Sequence, residues 1–111
     1  MPSRTPIDKV YTIEYNCVVK FEWDEAKNNS NFKKHHVWFE EAQTVWADSK
    51  SVEFFDPEHS AKEERFVRVG LATSHKLLLV VFCERDHDEV IRIISARKAT
   101  AKERKQYEEG I

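Results

Sequence analysis

The stretch RIISARKATAKERKQYEEG, Arg92 to Gly110, changes period in its middle, and the fold class follows from that change. Its first half alternates as a strand does, with successive side chains on opposite faces. Strict alternation puts Ile91, Ile93, Ser95 and Arg97 on one face and Val90, Arg92, Ile94 and Ala96 on the other. Thr100 and Glu103 then form a T-x-x-E capping box, which starts a terminal helix carrying Tyr107. Arg97 is thereby left at the end of an apolar face, where a guanidinium is costly unless it is paired or opens into an anion-filled cleft.

Working back toward the N-terminus, RFVRVGLA, KLLLVVFC and EVIRIISAR are apolar or β-branched runs of strand length. The turn-forming TSH and RDHD separate them, which describes an antiparallel meander. SVEFF is a further strand that stops at Asp56-Pro57. In VVKFEWD the residues Val19, Phe21 and Trp23 share a strand face, and Asp24 stands where an N-cap is needed for a helix ending near His35. Phe39, Ala42, Val45 and Trp46 form one stripe of a short second helix. The order is β-α-α-β-β-β-β-α, an α+β domain with helices packed on an antiparallel sheet. Residues 1–17 are set apart as an N-terminal extension, either an added edge strand or disordered chain, and residues 18–111 as the domain.

The 111 residues, 41% hydrophobic and 34% charged, suit one globular domain rather than a disordered chain. No signal-peptide pattern or membrane-length apolar run is present, so a cytoplasmic protein is expected. Cys17 and Cys83 have no CxxC or CxxH spacing and are expected as reduced thiols. A formal net charge of -2 excludes a protein that coats nucleic acid by bulk charge. Charge is polarised instead: Arg92, Arg97, Lys98, Lys102, Arg104 and Lys105 oppose acids gathered at 22–25, 40–41 and 86–89.

Arg97 has company. Arg65 shares parity with Val67, Val69 and Leu71, and Arg85 with Leu79, Val81 and Cys83, so three strands end an apolar face in arginine. The planar guanidinium fork suits phosphate. Structural ion pairs with neighbouring glutamates are the competing explanation. The histidines His35, His36, His59, His75 and His87 form no HxH or HExxH pattern, and Asp86-His87-Asp88 fits a polar hairpin turn, so no metal and no cofactor are expected.

FEWDEAKNNSNFKKHHVWFEEAQTVW, with EERFVRVG, LLLVVFCER and RIISARKATAKERKQYEEG in that order, resembles the BrnT family. The resemblance runs from about Val19 to Gly110 and implies a RelE-like ribonuclease fold. It further implies a toxin of a type II toxin–antitoxin pair that cleaves RNA and halts translation. A BrnA-like antitoxin with a ribbon-helix-helix DNA-binding domain would neutralise it, and only through that antitoxin would the chain meet operator DNA. On this reading Arg65 and Arg97 stabilise phosphate, and Lys27 binds phosphate or moves a proton. His35, Glu64 and Tyr107 are the acid and base candidates, while Arg85, Lys98, Lys102 and Arg104 hold RNA. Three positions depart from the family pattern: His36 replaces a C-cap glycine, Trp38 a Ser or Thr N-cap, and Cys83 a hydroxyl. The alternative function is a non-catalytic RNA- or protein-binding module using the same arginines.

Overall fold

The computed structural model describes residues 9–14, 18–56, 63–85 and 90–110. Its strands are β1 (Lys9–Glu14), β2 (Val18–Trp23), β3 (Val52–Asp56), β4 (Arg65–Leu71), β5 (Leu77–Arg85) and β6 (Val90–Lys98). The helices are α1 (Glu25–His35), α2 (Phe39–Ala42) and α3 (Ala101–Glu109), and a 3-10 helix, Gln43–Ala47, continues α2. One six-stranded sheet has the order β1-β2-β6-β5-β4-β3. Neighbours are antiparallel except β2 and β6, which run parallel over Lys20–Glu22 and Val90–Arg92. The sheet expected to be antiparallel is therefore mixed at that one pair, because the crossover from β2 returns along the whole chain before β6 is reached. Lys9–Glu14 adds an edge strand to β2.

Strict alternation fails inside β6. Val81 stands opposite Ser95 but Phe82 opposite Ile93, so Ile94 is an extra residue, a β-bulge. The bulge reverses parity: Ile91, Ile93 and Ala96 all enter the same buried cluster. Ser95 and Arg97, opposite Val81 and Leu79, stand on the other face. The face that ends in Arg97 is consequently not the isoleucine face that simple alternation predicts. It is the face shared with β4 and β5 valines and leucine.

The sheet thus has two dissimilar sides. Phe21, Trp23, Leu78, Val80, Phe82, Ile91, Ile93 and Ala96 meet Val37, Phe39, Ala42 and Val45 in the larger core. Trp46 packs edge-on against Phe21 and Phe82, with the Arg68 guanidinium carbon 4.8 Å from its ring centroid. The 3-10 helix lies so close to β4 that a Cβ on Gly70 would stand 2.6 Å from Val45 Cγ1. On the opposite side Val69, Leu77 and Leu79 form a smaller cluster with Val52, Phe54, Val67, Val81, Ala99 and Tyr107.

Caps behave as the sequence suggests, with two substitutions resolved locally. Asp24 Oδ1 accepts from the Ala26 and Lys27 N–H groups, and Thr100 with Glu103 forms the capping box. His36 adopts the left-handed conformation (φ 61°, ψ 31°) that glycine would favour, and its N–H reaches the Phe32 carbonyl. Trp38 supplies no side-chain cap to α2. Asn28 does so from α1: its Oδ1 accepts from the Phe39 N–H at 2.7 Å, and its Nδ2 donates to Glu40. Trp38 instead lies stacked on Phe32, 39% exposed. Among the described residues no helix is long and apolar enough to cross a membrane.

Candidate functional site

On the smaller-cluster side, among the described residues, α3 covers only part of the sheet. The uncovered part is a row set by register across four strands: Phe54 opposite Val67, Val67 opposite Val81, and Val81 opposite Ser95. These four are half-buried and line a cavity of about 560 Å³. At one end Asp56 and Arg65 face each other across β3 and β4. At the other stand Arg97, Glu103 and Gln106, and His35 from the last turn of α1 contributes to the wall.

His35, Ile94 and Ser95 also line a second hollow of about 180 Å³, together with Lys27, Ser30, Asn31 and Lys34. The two hollows adjoin at those shared residues. Asn31 explains why α1 runs alongside β6 here. β2 pairs with β6 only as far as Arg92, which leaves the later β6 edge open. Asn31 closes it, with Nδ2 donating to the Ala96 carbonyl at 2.8 Å and Oδ1 accepting from the Ala96 N–H at 3.1 Å. The same amide donates to the Val37 carbonyl. A buried asparagine therefore sets the position of Lys27, Lys34 and His35 relative to Ser95 and Arg97.

Arg97 is paired as well as poised. Its Nη1 and Nη2 each meet one Glu103 oxygen at 2.9 Å, a bidentate bond. The Arg97 hydrogen bonds hold the Glu103 carboxyl below the usual carboxylate range despite partial burial, and the Thr100 N–H adds to this. Glu103 in turn raises the Arg97 guanidinium above its ordinary value. Both stay charged throughout the neutral range. The ion-pair explanation of Arg97 is thus correct as geometry, and the pair itself lies in the cavity wall.

Four of the five residues singled out for catalysis, Arg65, Arg97, Lys27 and His35, line these two adjoining hollows. Tyr107 does not. Its hydroxyl donates to Asp48 Oδ2 at 2.7 Å, and burial with that hydrogen bond pushes the phenol up to about 12. Arg85 does not join the other arginines either: its Nε lies 3.7 Å from Glu22, which also takes Arg92 Nη1 at 3.2 Å. Antiparallel pairing carries the end of β5 away from Arg97, and of the three arginines only Arg65 and Arg97 line the cavity, at its opposite ends. Lys98, Lys102 and Arg104 are exposed and line neither hollow, and the same holds for Glu64. Glu103, recognised in the sequence only as a cap, and Gln106, Ser95, Asp56 and Phe54 were not anticipated at the site. Glu103 was the findable one, since the capping box fixes it one turn above the strand that carries Arg97.

Among the described residues no group of three His, Cys, Asp or Glu side chains could hold a metal ion. His59, Asp86, His87, Asp88 and Cys17 lie outside the described residues. Cys83 is a free, buried thiol, pushed up to about 11 by burial and by Glu63.

A family model described as "Ribonuclease toxin, BrnT, of type II toxin-antitoxin system" matches residues 23–103. Among solved structures, the crystal structure of the Brucella abortus ribonuclease toxin, BrnT, is similar at 24% identity and a TM-score of 0.51. That likeness covers 70% of this chain and 92% of the other, and it concerns the fold. No curated protein matches.

Proposed function

Since the chain belongs to the BrnT family of ribonuclease toxins of type II toxin–antitoxin systems, we propose that it cleaves RNA without a metal, at the two hollows joined by His35. The observation that carries this reading is that Arg65, Arg97, Lys27 and His35 line two adjoining hollows, with His35 in the wall of both. In such a reaction the 2′-oxygen attacks the adjacent phosphorus. The O2′–P bond forms and the P–O5′ bond breaks, leaving a 2′,3′-cyclic phosphate and a 5′-hydroxyl. One group must take the 2′ proton and another must give a proton to the departing 5′-oxygen.

The His35 imidazole can both accept and donate a proton, and Lys27 shares the smaller hollow with it. These two divide the proton transfers. Arg65 and Arg97 offset the charge that develops on the phosphate, as fixed cations do in a partly dry site. Glu103 keeps the Arg97 fork oriented while leaving its remaining N–H groups for phosphate. Tyr107, committed to Asp48, is outside the proton path. Lys98, Lys102 and Arg104 extend an exposed basic surface on which the RNA backbone continues.

The family also supports the wider role: cleavage in the cytoplasm that halts translation, relieved by a BrnA-like antitoxin whose ribbon-helix-helix domain carries the pair to operator DNA. Expression alone should arrest growth, and co-expression of the cognate antitoxin should restore it. Arg97→Ala, shown by circular dichroism to be folded, should relieve the arrest. Arrest undiminished by a folded Arg97→Ala variant would refute the assigned site.

A further inference from the structure

Arg65 and Arg97 do not stand over the same point. They are separated by four residues along β4, from Arg65 to Val69, and by two strand spacings, from Val69 through Leu79 to Arg97. At about 3.3 Å per residue and 4.8 Å per strand, their α-carbons are roughly 16 Å apart. Between them runs the half-buried row Phe54, Val67, Val81, whose apolar surface neither arginine needs if both grip one phosphate. Glu103 moreover ties the Arg97 guanidinium to α3, whose Tyr107 packs with Val69 and Leu77. Two cations flanking an apolar strip that contains an aromatic ring match a short run of single-stranded nucleic acid, with anions at its edges and a flat base between them.

We propose that the Phe54, Val67 and Val81 row is a platform for one unpaired nucleobase of single-stranded RNA, with Arg65 and Arg97 holding different phosphates of the same strand. This deepens the ribonuclease reading and rests on it. Asp56, Ser95 and Gln106 border the row and supply acceptors and donors for the base edge. A duplex cannot offer its bases to such a surface, because they are stacked and paired inside the helix. The platform therefore selects unpaired RNA before any proton moves.

The test uses the full chain and an oligonucleotide carrying a 2′-deoxy sugar at the mapped cleavage site, so that binding is measured without turnover. Each of the two nucleotides flanking the scissile phosphate is replaced in turn by an abasic one, which keeps every phosphate. One of the two replacements should weaken binding about ten-fold. In Phe54→Leu, which retains an apolar filler and is checked by thermal melting, that penalty should fall below about three-fold. A duplex of the same sequence should bind at least ten-fold more weakly than the single strand. If the parent cleaves RNA but shows no abasic penalty, or binds duplex equally well, this inference fails alone, and the row is left to a protein segment. A parent that neither cleaves nor binds RNA overturns the ribonuclease reading as well.

Discussion

At the scale of single residues, Asp48 gathers three parts of the chain. Its Oδ2 accepts from the Leu71 N–H at 2.8 Å and from the Tyr107 hydroxyl at 2.7 Å, while Oδ1 accepts from the Lys50 N–H at 3.0 Å. Burial pushes this carboxyl up, but those donors outweigh it and hold it below its ordinary 3.8. A depressed carboxylate stabilises the fold above the unfolded value and loses that contribution as pH falls through the folded one. Tyr107, raised from 10.0 to about 12, works in the opposite direction: its contribution is complete below 10.0 and disappears as pH climbs toward 12. Tyr107→Phe should therefore cost about 1–2 kcal/mol at neutral pH. The deficit should shrink as pH falls below 3.8 and on through the lower folded value of Asp48, vanishing once the carboxyl is protonated in folded and unfolded chains alike. Chemical denaturation across pH checks both arms, and cleavage activity should be unchanged. The sequence placed Tyr107 correctly on a terminal helix but could not place Asp48, 59 residues away, beneath it.

At the scale of elements, α1 docks through polar rather than apolar contacts, which no periodicity of leucines or valines could reveal. Its buried residues are Asn28 and Asn31. The first caps α2 in place of a side chain at Trp38, and the second closes the open edge of β6. Asn31→Ala would orphan both backbone groups of Ala96 and the Val37 carbonyl. Removing the partner of buried groups costs about 1–3 kcal/mol each. A loss of about 3 kcal/mol is expected by urea denaturation, with RNA cleavage falling at least ten-fold at temperatures where the variant remains folded, because Lys27 and His35 lose their register with Arg97. The β6 bulge was equally hidden. Ile93, Ile94 and Ser95 contain no glycine to announce it, and an apolar run admits either parity. The N-caps of α1 and α3 were legible because each rests on residues within four positions of one another. The bulge was not, because it is decided by β5.

At the scale of the whole molecule, one sheet separates two functions. The side carrying Phe21, Trp23 and Phe82 is a closed core under α1, α2 and the 3-10 helix. Among the described residues the other side is closed only where α3 lies, and the remainder is the candidate site. Element order after the first strand was legible from turn residues and apolar runs. The mixed pairing was not, since the β2 to β6 contact joins residues 70 apart in sequence. Arg65 and Arg97 border one cavity from opposite ends because β4 and β6 run the same way on either side of β5, whereas Arg85 ends β5 beside Glu22. A net charge of -2 is compatible with RNA binding on this plan because Arg65, Arg97, Lys27 and Lys34 line two adjoining hollows.

The most direct test is the cleavage of purified RNA by the isolated protein with a chelator present, following both the rate and the chemical ends of the products, for the parent and for folded His35→Ala and Arg65→Ala variants. The expected result is chelator-resistant cleavage that leaves 2′,3′-cyclic phosphate ends, slowed at least 100-fold in each variant. Cleavage abolished by the chelator, or retained in full by both variants, would contradict the site.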